Sequence, residues 1–186
     1  MRMLLASLFF LSALVAFTFS APGTCDDASF NGVCVVASDA GAGGAIDYGN
    51  ADLTNGIVPV PGRITSLVGD PRSGSKAGHH GIDIAAPVGT PIKAFLSGTI
   101  VRAGASGGVY GNVIDIEHGN GYKTRYAHLS RIDVAVGQTV SRGQLLGAVG
   151  ISGRSTGPHM HFELYQSGQL LNACNVFGCR RGSRVA

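Results

Sequence analysis

Short β-rich runs cut apart by glycine set the tightest limit on what this chain can fold into. The runs are 98–102, 112–118, 122–128, 145–149 and 159–165, and no segment keeps a helical period over ten residues. Asn120-Gly121 falls between the second and third runs. Asn-Gly is the strongest short hairpin signal, because both residues tolerate the positive φ of a type I′ turn. The 29 glycines suit tight turns throughout. The pattern predicts an all-β fold: one antiparallel β-sandwich or barrel-like domain with glycine-rich turns.

Four segments are expected in the 186 residues. Residues 1–20 carry Arg2, an apolar run from Met3 to Phe19, and Thr18 and Ser20 before a cut at Ala21. That is the pattern of a secretory signal peptide, so the chain is expected to be secreted and extracellular. Residues 21–56 are glycine-rich and poor in core residues, which reads as an N-terminal arm or a short pro-segment. Residues 57–179 hold the β-rich runs, and 180–186 form a basic tail in which Arg180, Arg181 and Arg184 are expected to be solvated.

Cleavage removes Arg2 and leaves 13 basic against 11 acidic residues, a net charge of +2. So mild a charge gives no reason to expect nucleic acid, although it suits approach to an anionic cell wall. No stable membrane association is expected, and the chain reads as a monomer. Four cysteines in a secreted chain suggest two disulfides. Sequence allows three connectivities; the local pairs Cys25–Cys34 and Cys174–Cys179 are favoured because both loops are short. Neither spacing is CxxC, which argues against a zinc cluster of thiolates.

Four of the six histidines lie in two short stretches, His79-His80-Gly81-Ile82-Asp83 and His159-Met160-His161-Phe162-Glu163. Gly81, Ile82, Ile84 and Pro87 argue for strand over helix in the first. In a strand, residues two apart share a face, which would group His79 with Asp83 and His159 with His161. Two imidazoles and a carboxylate suit Zn²⁺, whose catalytic sites take three protein ligands and leave a fourth position for water. Strand parity also groups Tyr122, Thr124, Tyr126 and His128. His80 and His118 are expected at the surface. Glu163 shares parity with His159 and His161, and is either a partner orienting an imidazole or an exposed residue.

Several separated motifs, in order, resemble the lysostaphin/LytM-type zinc metalloendopeptidases that cut peptide bonds in bacterial peptidoglycan. They are His79-His80-Gly81-Ile82-Asp83-Ile84-Ala85-Ala86-Pro87, Tyr110-Gly111-Asn112, Tyr126-Ala127-His128-Leu129-Ser130 and Gly157-Pro158-His159-Met160-His161-Phe162-Glu163. The resemblance runs from about Pro61 to Tyr165. It implies one Zn²⁺ per chain with His79, Asp83 and His161 as metal ligands, and His128 and His159 as catalytic residues flanking the reactive water. It makes 57–179 a zinc metallopeptidase domain acting on bacterial peptidoglycan peptides, in cross-links or stems. Some relatives hold the zinc latent with an N-terminal asparagine, for which Asn31, Asn50 and Asn55 are available.

Two rival readings keep parts of this pattern. A catalytically idle zinc-binding secreted signalling or binding protein of the same fold, similar to vertebrate leukocyte cell-derived chemotaxin, need not keep both His128 and His159. A biotinyl or lipoyl carrier domain resembles 136–149, but none of Lys76, Lys93 and Lys123 stands in a carrier motif.

Overall fold

A computed structural model describes residues 52–72 and 76–186. The expected signal peptide, Cys25, Cys34, Asn31 and Asn50 lie outside them. Among the described residues, twelve strands, one four-residue helix and one 3₁₀ turn make up the ordered elements, and every strand pairing is antiparallel. The all-β expectation holds. Among the described residues, no helix is long and apolar enough to cross a membrane.

The strands in chain order are β1 (Gly62–Ser66), β2 (Ile82–Ala85), β3 (Pro91–Lys93), β4 (Gly98–Ala105), β5 (Asn112–Gly119) and β6 (Tyr122–Ala127). They continue as β7 (Leu129–Ile132), β8 (Thr139–Val140), β9 (Leu145–Val149), β10 (His159–Gln166), β11 (Gln169–Leu171) and β12 (Arg184–Val185). The large sheet runs β12-β1-β2-β10-β6-β5-β4-β8, with β11 on β10, and a smaller sheet runs β3-β9-β7. All five runs read from the sequence are strands. Asn120 and Gly121, at φ 49° and 75°, close the β5–β6 hairpin as Asn-Gly predicts.

The middle of the large sheet sorts its side chains by parity. Ile82 and Ile84 of β2, Met160, Phe162 and Leu164 of β10, Thr124 and Tyr126 of β6, and Ile114 and Ile116 of β5 share one buried face. Phe95 and Phe177, the latter from α1 (Cys174–Phe177), pack against Phe162 there. The opposite face carries Asp83, His161, Glu163, Arg125 and Asp115, aligned across β2, β10, β6 and β5 by the register. Phe177 is partly buried, and the other six isoleucine and phenylalanine side chains, fully buried, contribute roughly 1.5–3 kcal/mol each.

His118 differs from expectation, whereas Arg180, Arg181 and Arg184 of the tail are exposed as expected. His118 is 2% exposed, because alternation along β5 points it at the core with Ile114 and Ile116. Its Nδ1–H donates to Ser97 O (2.9 Å), and Nε2 lies 2.7 Å from Thr124 Oγ1. Thr124 in turn pairs with Tyr126 Oη (3.1 Å), which accepts the Phe95 N–H (2.9 Å). In the tail, Arg184 and Val185 form β12 along β1, Val185 is buried, and Arg181 pairs with Asp70. Cys174 and Cys179 form the expected local disulfide.

Burial pushes the His118 imidazole down, with the Ser97 carbonyl opposing. The unfolded chain therefore binds a proton more readily below about pH 6.5. His118 should leave stability unaffected above that pH and erode it as pH falls toward the folded-state value. Urea midpoints measured from pH 7 to pH 4 should consequently fall more steeply for wild type than for His118→Gln.

Candidate metal centre and active site

His161 and Asp83 are opposite one another on neighbouring strands, so alternation alone turns both to the polar face. His79 arrives differently. It precedes β2 in a loop, and strand parity with Asp83 does not place it. Its position comes from residues 67–70: the His79 N–H donates to Asp70 O (2.9 Å), its carbonyl accepts from the Gly69 N–H (2.8 Å), and Nδ1–H donates to Leu67 O (3.0 Å). Gly81 completes the approach. A Cβ there would sit 2.3 Å from Phe162 O and 2.9 Å from His161 Cε1, so no other residue lets this turn close on β10.

Three acceptor atoms converge as a result. His79 Nε2 lies 2.9 Å from His161 Nδ1 and 3.1 Å from Asp83 Oδ1, and His161 Nδ1 lies 2.9 Å from the same oxygen. His79 commits its Nδ1 proton to Leu67, and His161 can commit its Nε2 proton to Glu163 Oε1 (3.1 Å). In those tautomers two nitrogen lone pairs and a carboxylate oxygen face one point. A cation relieves that repulsion, so the donor set fits a metal of the zinc type. Among the described residues this is the one group of three such ligands.

The supporting residues are themselves bonded. Burial raises the Asp83 carboxyl, but hydrogen bonds from His161 and His79, made when the facing nitrogens carry protons, outweigh it and hold the group well below the ordinary carboxylate range. Arg72 donates to its other oxygen, Oδ2. Glu163 is wholly buried and joins His161 Nε2, Tyr110 Oη (2.7 Å), Tyr165 Oη (2.8 Å) and Arg125 (3.3 Å). Burial opposes its ionisation, yet the hydrogen bond from His161, followed by those of the tyrosines, draws its pKa down to about 2. Arg125 also forks onto both oxygens of Asp115 at 2.8 Å. Of the two readings open for Glu163, the orienting partner is therefore the one observed. No signal in the sequence singled out Arg72, Arg125 or Asp115.

His128 and His159 stand beside the cluster. Their ring centroids are 4.6 Å apart, and His128 lies 5.9 Å from His161. His159 follows parity from β10, with Nε2 3.6 Å from Asp83 Oδ1. His128 does not. Thr124 and Tyr126, its expected face-mates, point into the core, and β6 ends at Ala127. A left-handed backbone at His128, φ 64°, swings the imidazole to the polar side instead. Backbone carbonyls then fix both rings: His128 Nδ1–H donates to Ser152 O and His159 Nδ1–H to Gly157 O, each at 2.8 Å. Burial pushes the His128 pKa down to about 4, so this ring is neutral at pH 7 with Nε2 free to accept. His80 is exposed, as expected. Asn55 donates its side-chain amide to Asp52.

A family model described as Peptidase family M23 matches residues 77–173. The chain is 50% identical over 98 residues to DD-carboxypeptidase/endopeptidase Mpg of Neisseria meningitidis, covering 53% of this chain and 22% of that one. It is 48% identical over 97 residues to peptidoglycan DD-endopeptidase ShyA of Vibrio cholerae, covering 52% and 22%. The chain thus spans about a fifth of the length of these curated relatives. Two solved structures are similar: a zinc containing peptidase from Vibrio cholerae (TM-score 0.57, 34% identity, 64% of this chain and 38% of that one) and lysostaphin from Staphylococcus simulans (TM-score 0.54, 32%, 66% and 49%).

Gly81→Ala tests how closely the loop must approach. Forcing a methyl group against Phe162 O and the His161 ring should destabilise the fold by ~1–3 kcal/mol and misplace His161. Denaturation midpoints and retention of an added divalent metal through gel filtration should both fall.

Proposed function

The chain belongs to peptidase family M23, and from that membership we propose that it is a zinc-dependent metalloendopeptidase hydrolysing peptide bonds in bacterial peptidoglycan cross-links or stem peptides. The observation that carries the reading is the convergence of His79 Nε2, Asp83 Oδ1 and His161 Nδ1, each with its remaining polar atoms bonded outward. These three residues would hold one zinc per chain. When bound, the ion supplies Lewis acidity, lowering the pKa of water and polarising the scissile carbonyl.

The chain's own residues supply the rest. His128, neutral and with Nδ1–H committed to Ser152, presents Nε2 to take the proton of the attacking water. His159 presents Nε2 to the same space, and in its protonated form donates there to the developing oxyanion. Glu163 keeps the Nε2 proton of His161 and so leaves Nδ1 as the ligand atom. Asp83 stays ionised and supplies the negative charge that a divalent cation needs.

Residues 1–20 act in this reading as a signal peptide that exports the chain to its substrate. Residues 21–56 form an arm or pro-segment, and 57–179 form the catalytic domain. Substrate identity rests on relatives named for peptidoglycan DD-endopeptidase activity and on the similarity to lysostaphin.

Metal analysis of the purified chain should give about one zinc, and His79→Ala and His161→Ala should each lose it. Full zinc retention by both variants would refute this ligand set. His128→Ala and His159→Ala should fold, keep zinc and lose roughly 10²–10⁴ in the rate of muropeptide release, followed by mass spectrometry of digested peptidoglycan. Release at the wild-type rate by both would leave the binding-protein reading standing.

A further inference from the structure

Every polar atom of His79 other than Nε2 is bonded to the short stretch 67–70. That stretch is closed by one side chain. Asp70 Oδ2 accepts the Leu67 N–H at 2.7 Å, and the Asp70 N–H pairs with Leu67 O at 3.2 Å, which makes a tight turn. The Asp70 carboxylate therefore fixes the residue whose carbonyl receives the His79 Nδ1 proton. Its own carbonyl receives the His79 N–H. Gly78 lets the two segments meet: a Cβ there would lie 2.7 Å from Gly69 O and 2.9 Å from Asp70 O.

Asp70 is held in turn from the far end of the chain. Arg181 ion-pairs with Asp70 Oδ1 and donates to Thr65 O (3.0 Å). Arg181 is itself well located. The Cys174–Cys179 disulfide lies on one side of it, and β12 paired to β1 on the other. The Gly182 N–H donates to Ile64 O (2.8 Å), and Ser183 O accepts the Ile64 N–H (2.9 Å). Neither Asp70 nor Arg181 falls within the stretch that the family model matches, 77–173.

We infer that Asp70 is a positioning residue for the metal centre, and that Arg181 from the C-terminal segment holds it in that role. The inference rests on the reading of His79 as a metal ligand. Loss of the Asp70 carboxylate frees Leu67 and leaves the His79 ring without a fixed acceptor, so Nε2 samples positions off the shared point. Partners of metal ligands behave this way generally, their removal weakening affinity about 10–100-fold. Arg181 is more than half exposed on its side chain, and an exposed pair is worth less, so its removal acts more weakly.

The test is zinc affinity of the full chain, measured by competition with a chromophoric chelator, with urea unfolding of each metal-free protein beside it. Asp70→Ala should bind zinc about 10–100-fold more weakly. Arg181→Ala should weaken it by roughly 2–5-fold, and Arg181→Lys should recover most of that. The metal-free unfolding midpoint of Arg181→Ala should stay near wild type, which separates positioning from general stability. Wild-type affinity in Arg181→Ala, or an Arg181→Lys no better than Arg181→Ala, overturns the role of Arg181 even if Asp70→Ala does not fold. Wild-type affinity in a folded Asp70→Ala overturns the whole inference. A wild-type chain that fails to bind zinc would instead remove the metal-centre reading on which it stands.

Discussion

Three acceptor atoms pointed at one another are a liability in a folded chain, and the rest of this structure is organised around that liability. Left to themselves, His79, His161 and Asp83 could share protons and lose any vacancy for a cation. What prevents this is the outward bonding of the remaining atoms. Leu67 O receives one imidazole proton and Glu163 the other, while Arg72 occupies the far oxygen of Asp83. The convergent atoms are thereby kept as lone pairs, and a divalent ion is the natural species to neutralise them.

The sheet makes this arrangement stable by separating two environments across a single layer. On one face isoleucines, phenylalanines and the Tyr126 ring exclude water; on the other, Asp83, Asp115, Glu163 and His161 are buried beside the half-buried Arg125. Among the described residues, no buried side-chain nitrogen or oxygen lacks a partner. That completeness matters because a half-satisfied buried network costs more than an apolar one. Register does the assembly: Asp115, Arg125 and Glu163 sit side by side because β5, β6 and β10 pair at those positions.

Much of this was legible in the sequence where the local rule and the tertiary outcome coincide. The five strands, the Asn120-Gly121 hairpin and the shared face of His159 and His161 follow from alternation and turn chemistry. The site failed to be legible where a residue leaves its strand. His79 is placed by hydrogen bonds to a loop rather than by parity with Asp83, and His128 by one left-handed residue. Parity selected His79 for a reason the structure does not bear out, and the role of His128 came from the resemblance to a known family. His118 looked like a surface residue because a histidine at a hairpin end carries no mark of burial; its partners Ser97 and Thr124 are distant or inconspicuous in sequence. Arg181 was hidden for the same reason, being 111 positions from its partner Asp70.

The left-handed backbone at His128 has a thermodynamic side. A residue with a Cβ gives up roughly 1–2 kcal/mol in that region, and glycine, abundant at comparable turns of this chain, would relieve it. The fold therefore retains an imidazole where its own backbone favours none. With His128 in its proposed role, stability and reactivity draw on the same position in opposite directions.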